Sequence, residues 1–434
     1  MLMKMAAKID HCCSSRHIRQ TLNGFKGSPE EKIVQNIFRA ITAYTDFVHF
    51  VNLEIHKCNA EEGTVFSDAF ISLRTTIESM RLWKTRFVSG RPDCQVVDMK
   101  NMLDTTILDT FRENGVDAIE KCSKSGVDQS FIVLLNFLQE IESHEKAIWK
   151  LLNLNTVTNE TQVVTGLAHH LFSQLVPGKT YEVDDCAKQL PKTCGCGCND
   201  KICGGNTSLG SVGTWHGRVD IMVNDTVAVV IGKEQTSVQD DEEDSKTEGE
   251  PQKKQRKVET YESRDICVED KRSRRHECIL LDQKILKQIL AKAITNGFAQ
   301  VHRDHSALSN FLIPSFGATS DRVSVCLYDP ENDCLLHIKK ELKLWIKNGI
   351  QFNLDIETII IIWLFLNFTV FTKRNLGPEI GLKKSRLHED LKDDLKYYRG
   401  TKSKGNFVSM TADESPWERI NITLAHPQKS GQKE

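Results

Sequence analysis

The sequence predicts a chain in two parts, an all-α N-terminal region followed by an α/β domain with a mixed sheet flanked by helices. Before residue 155, three stretches carry apolar residues at helical spacing, which is typical of amphipathic helices. After residue 158, cysteines, glycines and β-branched residues become frequent, and two short strand patterns flank Asn224-Asp225. These observations together favour the mixed α/β class.

The composition is that of a globular protein without a strong overall charge. The chain has 434 residues, 39% apolar and 27% charged, which fits roughly two or three domains. The net charge of −2 gives no general attraction to nucleic acid, so any such surface has to be local. The apolar run 359–371 is shorter than the roughly 20 residues that cross a bilayer and predicts a buried helix, not a membrane contact.

The first amphipathic helix has a recognisable start. Ser28 is a good N-cap, Pro29 suits the first helical position and Glu31 completes a capping box. A second apolar stripe runs from Phe70 to Met80, and a third follows Asp128. These stripes predict core-facing helices, with no strand between them.

Composition shifts divide the rest of the chain. Dense charge with few apolar residues around residues 240–259 predicts a disordered insertion, because such a segment cannot offset its ordering entropy. The predicted parts are a disordered start (1–27), an α-helical region (28–157), an α/β domain in two pieces (158–238 and 266–376) around a disordered charged insertion (239–265), and a flexible tail (377–434).

The stretch "GTWHGRVDIMVNDTVAVVIGKEQ" predicts a hairpin with candidate functional side chains on one face. With a two-residue turn at Asn224-Asp225, Met222 faces Val227 and Asp220 faces Val229. Strand side chains alternate, so Asp220, Ile231 and Lys233 then point to the same side of the hairpin. A carboxylate and an ammonium on one surface suit the binding of a phosphate.

This hairpin resembles the PD-(D/E)XK, or restriction-endonuclease-like, nucleases. Their aspartate and second acid bind Mg²⁺, and their lysine supports the attacking water. The resemblance assigns the aspartate to Asp220 and the lysine to Lys233. Ile231 stands where the second acid is expected, so the motif is degraded.

Two helices support the resemblance, which covers residues 158 to 370. The helix before the hairpin begins with Glu160, where relatives often carry another metal-binding acid, and the helix after it carries Gln288, where they often carry a substrate-orienting glutamine. The phrases "TWHGRVDIMV" and "SNFLIPSFG" also resemble a group of invertebrate proteins with such domains. The alternatives without a catalytic role are that Glu160 interacts favourably with the helix dipole and that Gln288 is an amide on the helix surface.

The resemblance leaves three functions open. The first is Mg²⁺-dependent phosphodiester hydrolysis, with DNA favoured over RNA, in which Asp220 and Glu160 hold the ion beside Lys233. The second is a non-catalytic nuclear module that keeps the nuclease fold to bind nucleic acid or protein. The third is a helical scaffold that acts through the N-terminal apolar stripes.

A cysteine cluster precedes the hairpin in "CAKQLPKTCGCGCNDKIC". Cys194, Cys196, Cys198 and Cys203 offer four soft ligands, and the glycines between them let the backbone bend around one ion. Four thiolates in a tetrahedral set select Zn²⁺, which would then be structural. The alternative is a glycine-rich turn with reduced thiols.

Two basic clusters lie in and after the charged insertion. One contains Lys253, Lys254, Arg256 and Lys257, and the other is the stretch 271–275. Such clusters are typical of nuclear import signals or nucleic-acid contacts, and an import receptor is then the expected partner. The N-terminus lacks the apolar core of a secretory signal, so a nuclear or cytoplasmic protein is expected. The alternative is that these charged residues only keep a loop soluble.

Overall fold

The computed structural model describes residues 17–44, 47–74, 95–152, 160–187, 189–232, 280, 282–348 and 351–405. The predicted charged insertion (239–265), both basic clusters and Lys233 lie outside these ranges. The predicted mixed α/β class is confirmed, with one large mixed sheet at the centre.

Ten strands form the central sheet, in the order β4-β1-β13-β12-β11-β10-β9-β5-β6 with β14 beside β12. Its strands are β1 (His49–Asn52), β4 (Val96–Asp98), β5 (Tyr181–Asp184), β6 (Gly204–Gly205), β9 (Ile221–Val223), β10 (Val227–Ile231), β11 (Ile313–Ala318), β12 (Arg322–Asp329), β13 (Cys334–Ile338) and β14 (Leu342–Lys343). Smaller sheets contain β2 (Ile55–Cys58) with β3 (Ile71–Leu73), β7 (Ser208–Gly210) with β8 (Gly217–Arg218) and β17 (Lys402–Ser403), and β15 (Trp345–Asn348) with β16 (Gln351–Leu354).

Helices cover the central sheet. Residues 17–24 form α1, and the others are α2 (Pro29–Ala43), α3 (Met99–Met102), α4 (Thr105–Asn114), α5 (Val116–Lys121), α6 (Val127–Gln139), α7 (Ile141–Leu152), α8 (Glu160–Leu167), α9 (Gln283–Arg303), α10 (His305–Leu308), α11 (Ile356–Leu366), α12 (Phe368–Phe371), α13 (Leu376–Ile380), α14 (Leu387–Leu391) and α15 (Leu395–Arg399). Short 3-10 turns connect several of them.

The order of elements around the hairpin is helix, strands, helix, strand. Helix α8 comes before strand β5. Strands β9 and β10 then form an antiparallel hairpin, and β10 pairs in parallel with β11 after the chain returns through α9. Parallel neighbours need such a crossover, and α9 packs on the sheet that it connects. The helix–hairpin–helix order expected from the sequence is therefore confirmed.

Two apolar clusters lie among the packed elements. The larger contains Phe38, Phe131 and Trp363 together with residues from both the helical region and the sheet. The smaller lies under α9 and includes Trp215 and Tyr398. Because β10 has buried residues throughout, its alternating side chains enter one cluster and then the other.

The apolar run 359–371 is buried, as predicted. It forms most of α11 and all of α12, and the buried rings of Trp363 and Phe371 lie 4.3 Å apart between centroids. No helix in the described part of the chain has the length and apolar character that a membrane crossing requires.

Three sequence expectations need correction. The region 28–157 is not free of strands, because β1 joins the central sheet by pairing with β13 and β4. The expected helix from Phe70 begins as strand β3 instead, and residues 75–94 lie outside the described ranges. The start and the tail are ordered where described: Leu22 is buried in α1, and Leu387 and Tyr398 are buried after residue 377.

Candidate metal centre and the hairpin site

A histidine and three cysteines meet between α8 and the loop that follows β5. His170, Cys194, Cys196 and Cys198 offer ligand atoms that all lie within 4.8 Å of one another. His170 Nε2 is 3.2 Å from the Cys194 and Cys196 sulfurs and 3.9 Å from the Cys198 sulfur. Ligand bonds of about 2.0–2.3 Å in a tetrahedron place nitrogen and sulfur at about this separation, so the group could hold one metal ion.

The helix brings His170 to the group through a widened turn. α8 continues as a π-helical segment, Ala168–Phe172, in which Leu171 and Phe172 are fully buried. Such single π turns are often found at functional sites because the extra residue redirects a side chain. His170 itself is 6% exposed, at the edge of the core.

The cysteine loop is closed by backbone hydrogen bonds. The amide of Cys194 donates to the carbonyl of Asp200 at 2.8 Å, and the amide of Ile202 donates to the carbonyl of Lys192 at 3.0 Å. Gly197 has a φ of 101°, which side chains rarely adopt, so glycine is needed between Cys196 and Cys198. The three thiols therefore converge because the loop turns back on itself.

Burial affects the imidazole and the thiol of this group in opposite ways with respect to metal binding. Burial is the main cause that lowers the pKa of His170 to about 4, so its ring is neutral at neutral pH and has a lone pair to donate. Burial also raises the pKa of the Cys194 thiol to about 12, so metal binding has to displace its proton. The amide of Cys198 donates to the Cys196 sulfur at 3.4 Å.

Surrounding residues clamp the loop to the helix. His169, next to the ligand, contacts Asp200 through Nε2 and the Tyr181 hydroxyl through Nδ1, each at 3.2 Å. Lys150 donates to the Cys196 carbonyl at 2.7 Å from the end of α7. The group therefore joins two helices to strand β5, and ion binding would fix all three.

Three of the four cysteines predicted as ligands are in this group. Cys203 is not part of it, and its carbonyl accepts the amide of Val183 at 2.8 Å, which ties Cys203 to β5. His170 takes the fourth position, although sequence analysis did not select it. The signal was the pair His169-His170 on the predicted helix just before the cysteines.

The hairpin differs from its predicted register by one residue. Asn224 and Asp225 form the turn as expected, both with positive φ, and Thr226 donates its amide to the Val223 carbonyl at 3.0 Å. The structure nevertheless pairs Val223 with Val227 and Met222 with Ala228. The predicted pairings of Met222 with Val227 and of Asp220 with Val229 are wrong because Thr226 is an extra residue between turn and strand.

This shift moves Asp220 to the α9 side of the sheet. Ile231 and Val229 pack in the larger apolar cluster, away from α9, whereas Val230 packs in the smaller one. The Asp220 carboxylate lies 3.5 Å from the ammonium of Lys292 on α9 and accepts the backbone amide of Ile231 at 3.0 Å. The Lys292 side chain is 10% exposed and that of Asp220 is 31% exposed.

The structure describes the other predicted site residues only in part. Gln288 is half-buried on α9, one helical turn before Lys292 and therefore on the same side of the helix. Glu160 begins α8 as predicted, but its side chain is outside what the structure describes, as is all of Lys233. In the described ranges, no group of three or more candidate metal ligands includes Asp220.

Comparisons with known proteins identify no relative: no family model, no curated protein and no solved structure matches this chain.

The metal centre gives a direct prediction about its ligands. Titration with Co²⁺, a spectroscopic probe of tetrahedral thiolate sites, is expected to give about one bound ion per chain. His170→Ala and Cys196→Ser are expected to weaken binding by at least about tenfold, because each removes a ligand. Cys203→Ser is the matched control and should bind as the unaltered protein does. Equal loss in Cys203→Ser and His170→Ala would contradict the assignment.

Proposed function

We propose that this protein is a non-catalytic descendant of the PD-(D/E)XK nucleases that binds nucleic acid on a zinc-stabilised core. The observation that carries the proposal is the pairing of Asp220 with Lys292. The carboxylate that the resemblance assigns to Mg²⁺ already has a cationic partner from the same chain.

The surroundings of Asp220 disfavour Mg²⁺. This ion needs several oxygen ligands in near-octahedral geometry, commonly with more than one carboxylate. The observed register, continued by one residue, sets Val230 across from Asp220, and Ile231 turns into the opposite cluster. Neither side chain can bind a cation, and the ammonium of Lys292 balances the carboxylate instead.

What supports descent from a nuclease is the order of elements combined with the position of the remaining polar residues. Asp220 directly precedes β9, and Gln288 and Lys292 lie on the side of α9 that faces it. The resemblance implies an acid at this strand and a polar residue on the helix that follows it. A buried charge pair in an otherwise apolar interface contributes little to stability, which favours an inherited rather than a structural origin.

The ion best suited to the His170 group is zinc. Three thiolates and one imidazole are soft or borderline ligands, which zinc accepts in a tetrahedral arrangement. Four protein ligands leave no open position for a substrate, so the role is structural. Zinc would hold the loop after β5 and thereby the strand that neighbours β9.

Nucleic acid is the partner class that the resemblance implies, with DNA favoured over RNA. The basic clusters at 253–257 and 271–275 supply local positive charge, and they also support nuclear import through an import receptor. A reporter fused to residues 251–276 that stays in the cytoplasm would contradict import.

The proposal predicts binding without cleavage. Folded, zinc-loaded protein is expected to bind labelled DNA in a salt-dependent manner and to leave it intact in Mg²⁺ or Mn²⁺, because one carboxylate paired to lysine cannot hold the ion. Gel analysis and fluorescence anisotropy measure the two properties. Cleavage that disappears in Asp220→Ala, with retained folding, would overturn the non-catalytic proposal.

The Asp220–Lys292 pair also predicts a stability effect. Lys292→Met removes the cation and leaves a half-buried carboxylate uncompensated, which is expected to lower the free energy of unfolding by about 1–3 kcal/mol. Adding Asp220→Asn to this variant should restore much of the loss. Urea denaturation measures both changes, and Lys284→Met, an exposed lysine on the same helix, is the control. Equal effects of Lys284→Met and Lys292→Met would contradict this pairing.

A further inference from the structure

Aromatic side chains form an outward surface on α7 and the β15–β16 hairpin. The rings of Trp149 and Phe352 stack with centroids 5.1 Å apart and planes 17° apart, and Trp345 meets Trp149 edge-on at 5.6 Å. Trp149 is 40% exposed and Phe352 is 42% exposed, which is unusual for stacked rings of this size. We name Trp149, Trp345 and Phe352 the aromatic platform.

The platform is held in place by polar contacts beneath it. The Glu145 carboxylate on α7 accepts the amide of Leu354 at 2.7 Å and the side-chain amide of Asn353 at 3.3 Å. The indole N–H of Trp345 donates to the Ser320 carbonyl at 3.0 Å. These contacts join the hairpin to α7 and to Ser320, which lies just before β12.

Lysine side chains lie on the same hairpin as two of these rings and on the segment before it. Lys347 lies across from Phe352 in the hairpin, so both project from the same face. Lys340 and Lys343 are exposed on the segment that leads into β15, in the sequence "KKELKLWIKN". Acids also lie close by, because Glu145 accepts the amide of Leu354, Asp355 follows Leu354 in the chain, and Glu142 pairs with Lys146 at 3.5 Å.

We propose that the aromatic platform binds single-stranded nucleic acid. Bases stack on exposed rings whatever their identity, and lysines beside the rings contact phosphates, so aromatic and basic residues together are typical of single-strand surfaces. Duplexes cover the faces of their bases and offer no such stacking. The inference deepens the proposed function, since it assigns the nucleic-acid contact to this surface and to single strands.

The flat shape and the charge favour nucleic acid over a peptide partner. Apolar peptides insert anchors into grooves or pockets, whereas the stacked rings of Trp149 and Phe352 are 40% and 42% exposed at the surface. Exposed lysines also match a phosphate backbone better than an apolar chain.

The test is anisotropy with labelled oligothymidine and oligouridine of about 12 nucleotides, and duplex DNA as comparison, on full-length zinc-loaded protein. Trp149→Ala with Phe352→Ala is expected to weaken single-strand binding by about tenfold or more, since each removes stacking. Lys340→Gln, Lys343→Gln and Lys347→Gln together are expected to reduce the salt slope by about two, at roughly 0.7 per phosphate contact.

Matched controls alter similar residues elsewhere. Tyr397→Ala removes another exposed ring, and Lys57→Gln, Lys284→Gln and Lys402→Gln together remove the same charge from other exposed positions. Unchanged single-strand affinity in the platform variants, with binding otherwise present, would overturn the platform while the proposed function stands. Absence of binding to every probe by folded protein would overturn both. Reduced self-association with unchanged nucleic-acid affinity would assign the surface to a protein contact and overturn the platform.

Discussion

A sheet packed on both faces cannot leave a charged side chain without a partner, and this constraint decides the chemistry at Asp220. The carboxylate points toward α9, on the side of the sheet where Val230 and Trp215 pack, and its side chain is 31% exposed. An uncompensated carboxylate in such a half-buried place costs about 1–3 kcal/mol. Lys292 removes that cost, and the pair thereby engages the carboxylate that the proposed descent from a nuclease assigns to a metal ion.

The same constraint applies to the buried polar atoms of the candidate metal centre. Buried His170 and Cys194 have few partners beyond one another, and their sulfur and nitrogen atoms lie close enough to share an ion. The contacts of Asp200 with His169 hold the loop that carries the cysteines on the core, and an ion in the His170 group would add to them. Binding of such an ion would therefore be linked to the folding of this loop.

The sequence predicted what depends on local pattern. The N-cap at Ser28 is confirmed by the bond from the Glu31 amide, but the capping box is incomplete because the Glu31 carboxylate accepts the amide of Gly27 and not that of Ser28. The Asn224-Asp225 turn and the helix after the hairpin are also confirmed. The cysteine cluster was predicted because its ligands are close in sequence. The strand β1 was missed because it is only four residues long and becomes stable by pairing with β13, which lies far along the chain.

The site residues that were missed depend on tertiary contacts. The loop has three residues because it includes Thr226, and this moved every side chain of β10 to the other face relative to β9. Lys292 was not selected from the sequence, because only packing against β9 makes it the partner of Asp220. His170 joined the cysteines through a π turn, which helical periodicity does not reveal.

The most direct test of the account is titration of zinc-loaded protein with Mn²⁺, followed by electron paramagnetic resonance, with Asp220→Asn as the comparison. If Lys292 has replaced the metal, the two proteins will bind Mn²⁺ with the same weak isotherm. A Mn²⁺ site that is present in the unaltered protein and absent from Asp220→Asn would show that Asp220 is a metal ligand, and would contradict the central claim.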